Sequence, residues 1–266
     1  LDGVDCAVMV HPFSYDLVSH VWVGRRTLTA TFTGVPAHAS MQPYMGRNAL
    51  DAATLAYQAC GLLRQQMPPS DRLHAVLSDG GARASIIPET ATLQMYVRSL
   101  YTETLMDLSQ RVEDILKGAA LMTGTTVDAQ WDEHPMSLPV RNNATLARRW
   151  GATQASRGRD VLPAGTLPDS QAASTDFGNV SHLVPGIHPL VKIAPEGTAL
   201  HTTDFAAAAI SDQAFEGAFD AAVGLAQTIA DILNDPQLLA DAQEEFRNAG
   251  GAISVEKLLA GAAEQP

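Results

Sequence analysis

Thr27-Leu28-Thr29-Ala30-Thr31-Phe32-Thr33 alternates without a break. Leu28, Ala30 and Phe32 fall on one face and the four threonines on the other. Successive side chains of a strand point to opposite faces, so this is a half-buried strand rich in the β-branched residues that strands favour. Residues 90–98 repeat the pattern, with Ala91, Leu93, Met95 and Val97 inward and Thr92, Gln94, Tyr96 and Arg98 outward. Between the two, residues 34–40 form a Gly/Pro loop. Residues 48–67 read as a helix, with Leu55, Ala59, Leu62 and Leu63 at helical spacing and Pro68-Pro69 as its stop. A short strand at 73–77 and a turn at Asp79-Gly80-Gly81 follow. Residues 103–122 form a second helix, with Leu105, Leu108, Val112, Ile115 and Ala119 on one stripe, and Gly124 leads into a closing strand at 125–131. The order β-α-β-β-α-β is the split, ferredoxin-like arrangement, in which two helices cover one face of an antiparallel sheet.

This unit sits in the middle of the chain. An apolar strand at Cys6–Val10 precedes it, and Pro135 and Pro139 mark a return linker. Beyond them come a helix at 143–156, a short buried strand at Leu190–Ile193, and a long helix at 211–233 that Ser211 caps. That helix carries Phe215, Phe219, Val223, Ala226, Ile229 and Leu233 on one face, and a shorter helical pattern runs over 236–246. The economical arrangement is an α/β domain interrupted by an inserted one, with boundaries expected at 1–24, 25–136 and 137–266. The chain opens at Leu1 without an initiator Met and already within a strand pattern, so a segment upstream of Leu1 is expected to be missing.

Composition excludes several classes. Of the 266 residues, 29 are acidic and 17 are Lys or Arg, a net charge of −12. An acidic chain with no basic run is a poor partner for nucleic acid or an anionic membrane. Cys6 and Cys60 form no CxxC, which makes a reducing, cytoplasmic compartment the default. No apolar run approaches the roughly 18–20 residues of a membrane span.

Phosphate-binding Gly loops, HExxH and Gly-x-Ser-x-Gly are all absent, so any chemistry must be assembled from distant residues. Residues 174–205 gather three of the eight histidines, His182, His188 and His201, with Asp176 and Asp204 beside them. Neutral imidazole is the commonest metal-ligand side chain, and a nearby Asp can orient it. His11 ends the first strand and His201 lies beyond the last. His38 stands among small Ala37, Ala39 and Ser40, either as a donor to a developing oxyanion or as a solvated loop residue. Arg98 ends a strand, where its fork suits a carboxylate or simply faces water. Asp176 fits a ligand, a cap or a turn.

Together, His11-Pro12, the loop 34–42 around His38, Ala84-Ser85-Ile86-Ile87-Pro88, Arg98, the run 174–181, Pro185-Gly186-Ile187-His188-Pro189 and Leu200-His201-Thr202 resemble the aminoacylase and p-aminobenzoyl-glutamate hydrolase group of metal-dependent amidohydrolases. The resemblance runs in order through nearly the whole chain. It implies a zinc-exopeptidase-like catalytic domain interrupted by a lid that also forms a homodimer contact. It implies hydrolysis of an amide bond in an N-acyl amino acid, an aroyl-glutamate or a dipeptide. His11 and His201 would be ligands to zinc or manganese, His38 would hold the oxyanion in a partner subunit's site, and Arg98 and Ser85 would contact the substrate. Relatives often carry Asn where Ser85 stands, and the shorter hydroxyl alters those contacts. The resemblance places the first metal motif and the glutamate base upstream of Leu1, on a segment that is lost or present as a second chain. The rival is a non-catalytic dimerisation or small-ligand-binding protein, since fold alone does not settle function.

Overall fold

The computed structural model describes residues 1–263 and separates the chain into two compact units, one of residues 1–22 and 138–266, the other of residues 23–137. The last three residues of the expected final segment, 264–266, lie outside the described residues.

In the first unit, β1 (Ala7–Val8) pairs in parallel with β9 (Gly186–Ile187), and β2 (His11–Phe13) pairs in parallel with β10 (Leu190–Lys192). The continuous strand expected at Cys6–Val10 is therefore broken. The amides of Ala7, Met9 and His11 donate to the carbonyls of Pro185, Ile187 and Pro189 at 2.9, 3.0 and 3.0 Å. The return bond from residue 189 to Met9 cannot form, because Pro189 has no N–H. The ladder splits there, beside His188 and opposite the run into His11.

The second unit holds β3 (Gly24–Thr33), β4 (Ala37–His38), α1 (Ala49–Leu63), β5 (Arg72–Asp79), β6 (Ile86–Ile87), β7 (Thr90–Ser99), α2 (Thr102–Thr123) and β8 (Thr126–Trp131). The main sheet runs β5-β7-β3-β8, antiparallel throughout, and β4 and β6 form a separate two-stranded ribbon. Leu28, Ala30, Phe32, Ala91, Leu93, Met95 and Val97 are all buried, as their alternation requires. They share the core with Leu105, Leu108, Val112 and Leu116 of α2. Asn48 caps α1 by accepting from the Leu50 amide at 2.9 Å, and Gly124, at φ 66°, ends α2 in the left-handed conformation that glycine adopts freely. The α1 helix is shorter than expected, giving way at Arg64–Gln66 to a single 3-10 turn. Its buried face is Ala49, Ala52, Ala53, Ala56, Cys60 and Leu63, while Leu62 is exposed. Near the C-terminal end of β8, Asp132 pairs with buried Arg26 at 2.7 Å and accepts from the Thr27 amide at 3.2 Å. The Arg26 guanidinium lies 4.4 Å from the Trp131 ring centre.

The first unit resumes with α3 (Ala144–Ser156), α4 (Phe177–Ser181), β9, β10, α5 (Thr203–Ala208), α6 (Asp212–Asn234), α7 (Pro236–Asn248) and α8 (Val255–Ala263). Its core joins Leu146 and Trp150 of α3 with Ile187, Val191 and Ile193, and with Ala214, Ala221 and Ile232 of α6. Part of the apolar face expected for α6 points outward: Phe215, Phe219 and Leu233 are exposed, while Val223 is half-buried and Ile229 packs against the core. The buried face is instead Ala214, Gly217, Ala221, Gly224, Thr228 and Ile232. Small residues win because the helix lies almost against its neighbours. A methyl group at Gly217 would sit 2.9 Å from the Lys192 carbonyl oxygen, and one at Gly224 would sit 2.0 Å from Gln154 Nε2 and 2.8 Å from Trp150. No described helix is long and apolar enough to cross a membrane.

Candidate functional site

Expected site residues occur in both units. In the first, β2 holds His11 in register with Leu190, and the ring is half-buried. His11 Nδ1 lies 2.7 Å from the Pro12 carbonyl oxygen. A carbonyl only accepts, so Nδ1 carries the proton and the Nε2 lone pair is free, the form in which imidazole binds a metal.

The His11 ring lies 5.4 Å from Trp22 and 5.9 Å from His188. His188, not among the expected site residues, is fully buried. It stacks on Trp22 at 4.6 Å with 7° between the planes and meets Phe177 edge-on at 5.3 Å. Neither ring nitrogen of His188 has a hydrogen-bond partner. Burial, with a smaller contribution from His11, pushes its pKa down to about 4 against an opposing pull from Asp176, so the ring is neutral near pH 7. In the sequence His188 stood out as one of the three histidines of residues 174–205 and within the Ile187-His188-Pro189 run, and neither feature announced its burial.

The neighbourhood is braced by the short helix α4. Asn179 Oδ1 accepts from the Leu138 amide at 2.8 Å, and Ser181 Oγ accepts from the Arg141 amide at 3.0 Å. His182 Nε2 donates to the Pro139 carbonyl at 2.9 Å. His201 is exposed, at φ 60° in the turn before α5. Asp176 is exposed at the head of α4 and makes no side-chain cap. Among the described residues, no three His, Cys, Asp or Glu side chains converge to hold a metal ion. A catalytic zinc centre takes about three protein ligands and an open position. His11 fits the part of a single ligand, but the described residues do not by themselves make up such a centre.

In the second unit, β4 and β6 set His38 opposite Ile86, and the Ala39 amide donates to the Ser85 carbonyl at 3.0 Å. His38 Nδ1 accepts from the Ser40 and Met41 amides at 3.3 and 3.2 Å. This is the opposite tautomer to that of His11: Nδ1 is the acceptor, and Nε2 carries a proton on an exposed ring. Ser85 is exposed, and its neighbours Ala84 and Ile86 line a cavity of about 370 Å³ beside Ala39 and Asn48. Arg98 lies near the end of β7, half-buried, with its guanidinium 5.1 Å from the Tyr96 ring centre. Its Nε is buried and without a partner.

Comparison with known proteins adds to this geometry. Residues 23–122 match the peptidase dimerisation domain. The Xaa-Arg dipeptidase of Mus musculus is 35% identical over 92% of this chain and 57% of its own length. One of the p-aminobenzoyl-glutamate hydrolase subunits of Escherichia coli (strain K12) is 25% identical over 92% of this chain and 62% of its own. The chain thus spans a little over half the length of these curated relatives. Among solved structures, an aminobenzoyl-glutamate utilization protein from Klebsiella pneumoniae superposes with a TM-score of 0.59 at 21% identity, over 71% of this chain and 50% of that one. An amidase of the hydantoinase/carbamoylase family from Burkholderia vietnamiensis gives 0.62 at 15% identity, over 89% and 54%. At these identities the structures establish a shared fold.

Proposed function

We propose that the chain belongs to the metal-dependent amidohydrolase family that carries the peptidase dimerisation domain, and that it serves the hydrolysis of an amide bond next to a carboxylate, in an N-acyl amino acid, an aroyl-glutamate or a dipeptide. The observation that carries the reading is the pinned tautomer of His38. Two backbone amides fix Nδ1 as an acceptor, so Nε2–H is held ready to donate where negative charge develops on a carbonyl oxygen. Arg98 offers an unpaired fork for the substrate carboxylate. Ser85, bonded through its carbonyl to the His38 turn, contacts the substrate beside it.

His11 and His201 are the ligands this chain would give to a zinc or manganese ion, which supplies Lewis acidity toward the amide carbonyl when bound. The reading needs further ligands and a carboxylate base besides these two. It also assigns residues 25–136 to a lid through which two copies pair, so that His38 serves the site of a partner subunit. The working compartment is the cytoplasm, in keeping with two cysteines that are both unpaired.

The test uses the metal-loaded, full-length protein and a panel of acyl-amino acids and dipeptides. His38→Ala should lower kcat by about 100-fold or more, as loss of one oxyanion donor does, with little change in KM. His201→Ala should lower bound metal measured by mass spectrometry. Unchanged kcat would remove His38 from the reaction, and unchanged metal content would remove His201 from the ligand set.

A further inference from the structure

Arg25 lies in β3 directly across from Arg98 in β7, and Arg98 lies directly across from Arg72 in β5. Three arginines therefore form one row across the sheet, on the face opposite the buried Leu28, Ala30 and Phe32. Directly opposed residues of an antiparallel pair hold their Cβ atoms roughly 5 Å apart, and like charges there repel. Each of the other well-buried arginines is balanced: Arg26 has Asp132, and Arg159 has Asp16 and Asp220. Arg72 spends its Nη1 on the Pro69 and Asp71 carbonyls.

Arg25 and Arg98 are different. Neither guanidinium has a hydrogen bond or ion pair among the described residues, and both Nε atoms are buried without a partner. One row further on, Thr27 faces Tyr96, and the Thr27 hydroxyl is also buried without a partner. Two half-buried cations and an orphaned hydroxyl on one patch leave about two positive charges and several donors unmet, a costly arrangement unless something anionic completes it.

We infer that Arg25 and Arg98 together form a clamp for a doubly charged, dicarboxylate end of the substrate, so that the amino-acid side of the scissile amide is acidic, of the glutamate or aspartate class. The inference rests on the amidohydrolase reading for the role of Arg98 and adds Arg25 as the residue that selects the second carboxylate. One carboxylate would neutralise only one of the two guanidiniums. A basic side chain in this position would meet repulsion from Arg25.

The test measures binding apart from turnover. Glutarate and butyrate, similar in length but carrying two carboxylates and one, are titrated calorimetrically into the chain in low salt, with Arg25→Gln and Arg98→Gln alongside. Circular dichroism melts confirm that each variant is folded. Glutarate should bind about tenfold more tightly than butyrate, the worth of one charge-assisted hydrogen bond. Arg25→Gln should erase that preference while leaving butyrate within about twofold, and Arg98→Gln should weaken both ligands. Equal affinity for the two acids, no binding of either, or an unchanged preference in Arg25→Gln would overturn the clamp. A clamp that passes in a full-length protein inactive on every amide tested would keep the acidic-ligand site and discard the hydrolase reading, so the two failures are distinct.

Discussion

Replacing Gly178 with Ala should destabilise the first unit severely, through a direct collision of side chain with backbone. A methyl group on Gly178 would lie 1.7 Å from the Leu138 carbonyl oxygen and 2.7 Å from its carbon. Ordinary contact begins at 3.4 Å, so the backbone must part by well over an ångström. The segments that must part are those joined by the bonds from Leu138 to Asn179 and from Arg141 to Ser181. Overpacking of a tight site costs roughly 1–3 kcal/mol. A buried amide left without its acceptor costs roughly another 1–3 kcal/mol. The expected loss is about 4 kcal/mol. The control is Gly118→Ala in the middle of α2, where an added methyl meets nothing within 4 Å. There the gain should be about 1 kcal/mol, from helix propensity alone. Hydrogen exchange in increasing urea reads the two units separately and gives both values. A Gly178→Ala protein within about 1 kcal/mol of the parent would refute the packing argument, since it would mean that α4 and the segment at Leu138 can separate at little cost.

Other consequences are as direct. Burial holds His188 at about 4 against an ordinary 6.5 and lowers His20 in the same direction. The unfolded chain therefore takes up protons that the fold refuses, and stability should be level above about pH 6.5, fall by about 3 kcal/mol toward pH 4 on account of His188, and level off below. His188→Phe should flatten that slope in urea titrations, and an unaltered slope would show that His188 does not drive it. Asp132→Ala leaves Arg26 buried and unpaired and should cost about 3 kcal/mol, with part of the loss recovered when Arg26→Met is added; a double variant no better than the single would count against an electrostatic cause. Burial pushes the Cys60 thiol up to about 11, so at pH 8 a disulfide reagent should leave it untouched until the protein is denatured. Rapid labelling of Cys60 in the native protein would contradict the packing of α1.

The inserted unit was legible because its strands have one wet face and one dry one. Residues 27–33 and 90–98 state their burial in plain alternation, and α2 carries a single apolar stripe. The helices α1 and α6 were harder to read. Both carry large apolar residues on an exposed side and mostly Ala, Gly or Cys on the buried one, and hydrophobicity alone favours the large ones. The decisive fact was how closely the neighbours approach, and a single sequence does not carry that distance. The same holds for the candidate site. His11 and His38 stood out by residue type and by their surroundings. Arg25 did not, because it matters only through the register that sets it across from Arg98. The burial of His188 likewise depends on stacking against Trp22, which is far from it in sequence.

The packing of α6 inverts the usual map of which positions tolerate change. Its outward-facing bulky residues are replaceable: Phe215 and Leu233 are 76% and 77% exposed, so polar substitutes there should be accepted and should improve solubility. Gly217 and Gly224, which a composition-minded engineer would change first to raise helix propensity, are fixed by the atoms pressed against them. A saturation library over this helix should therefore keep its glycines and lose its phenylalanines, the reverse of what hydrophobicity would suggest.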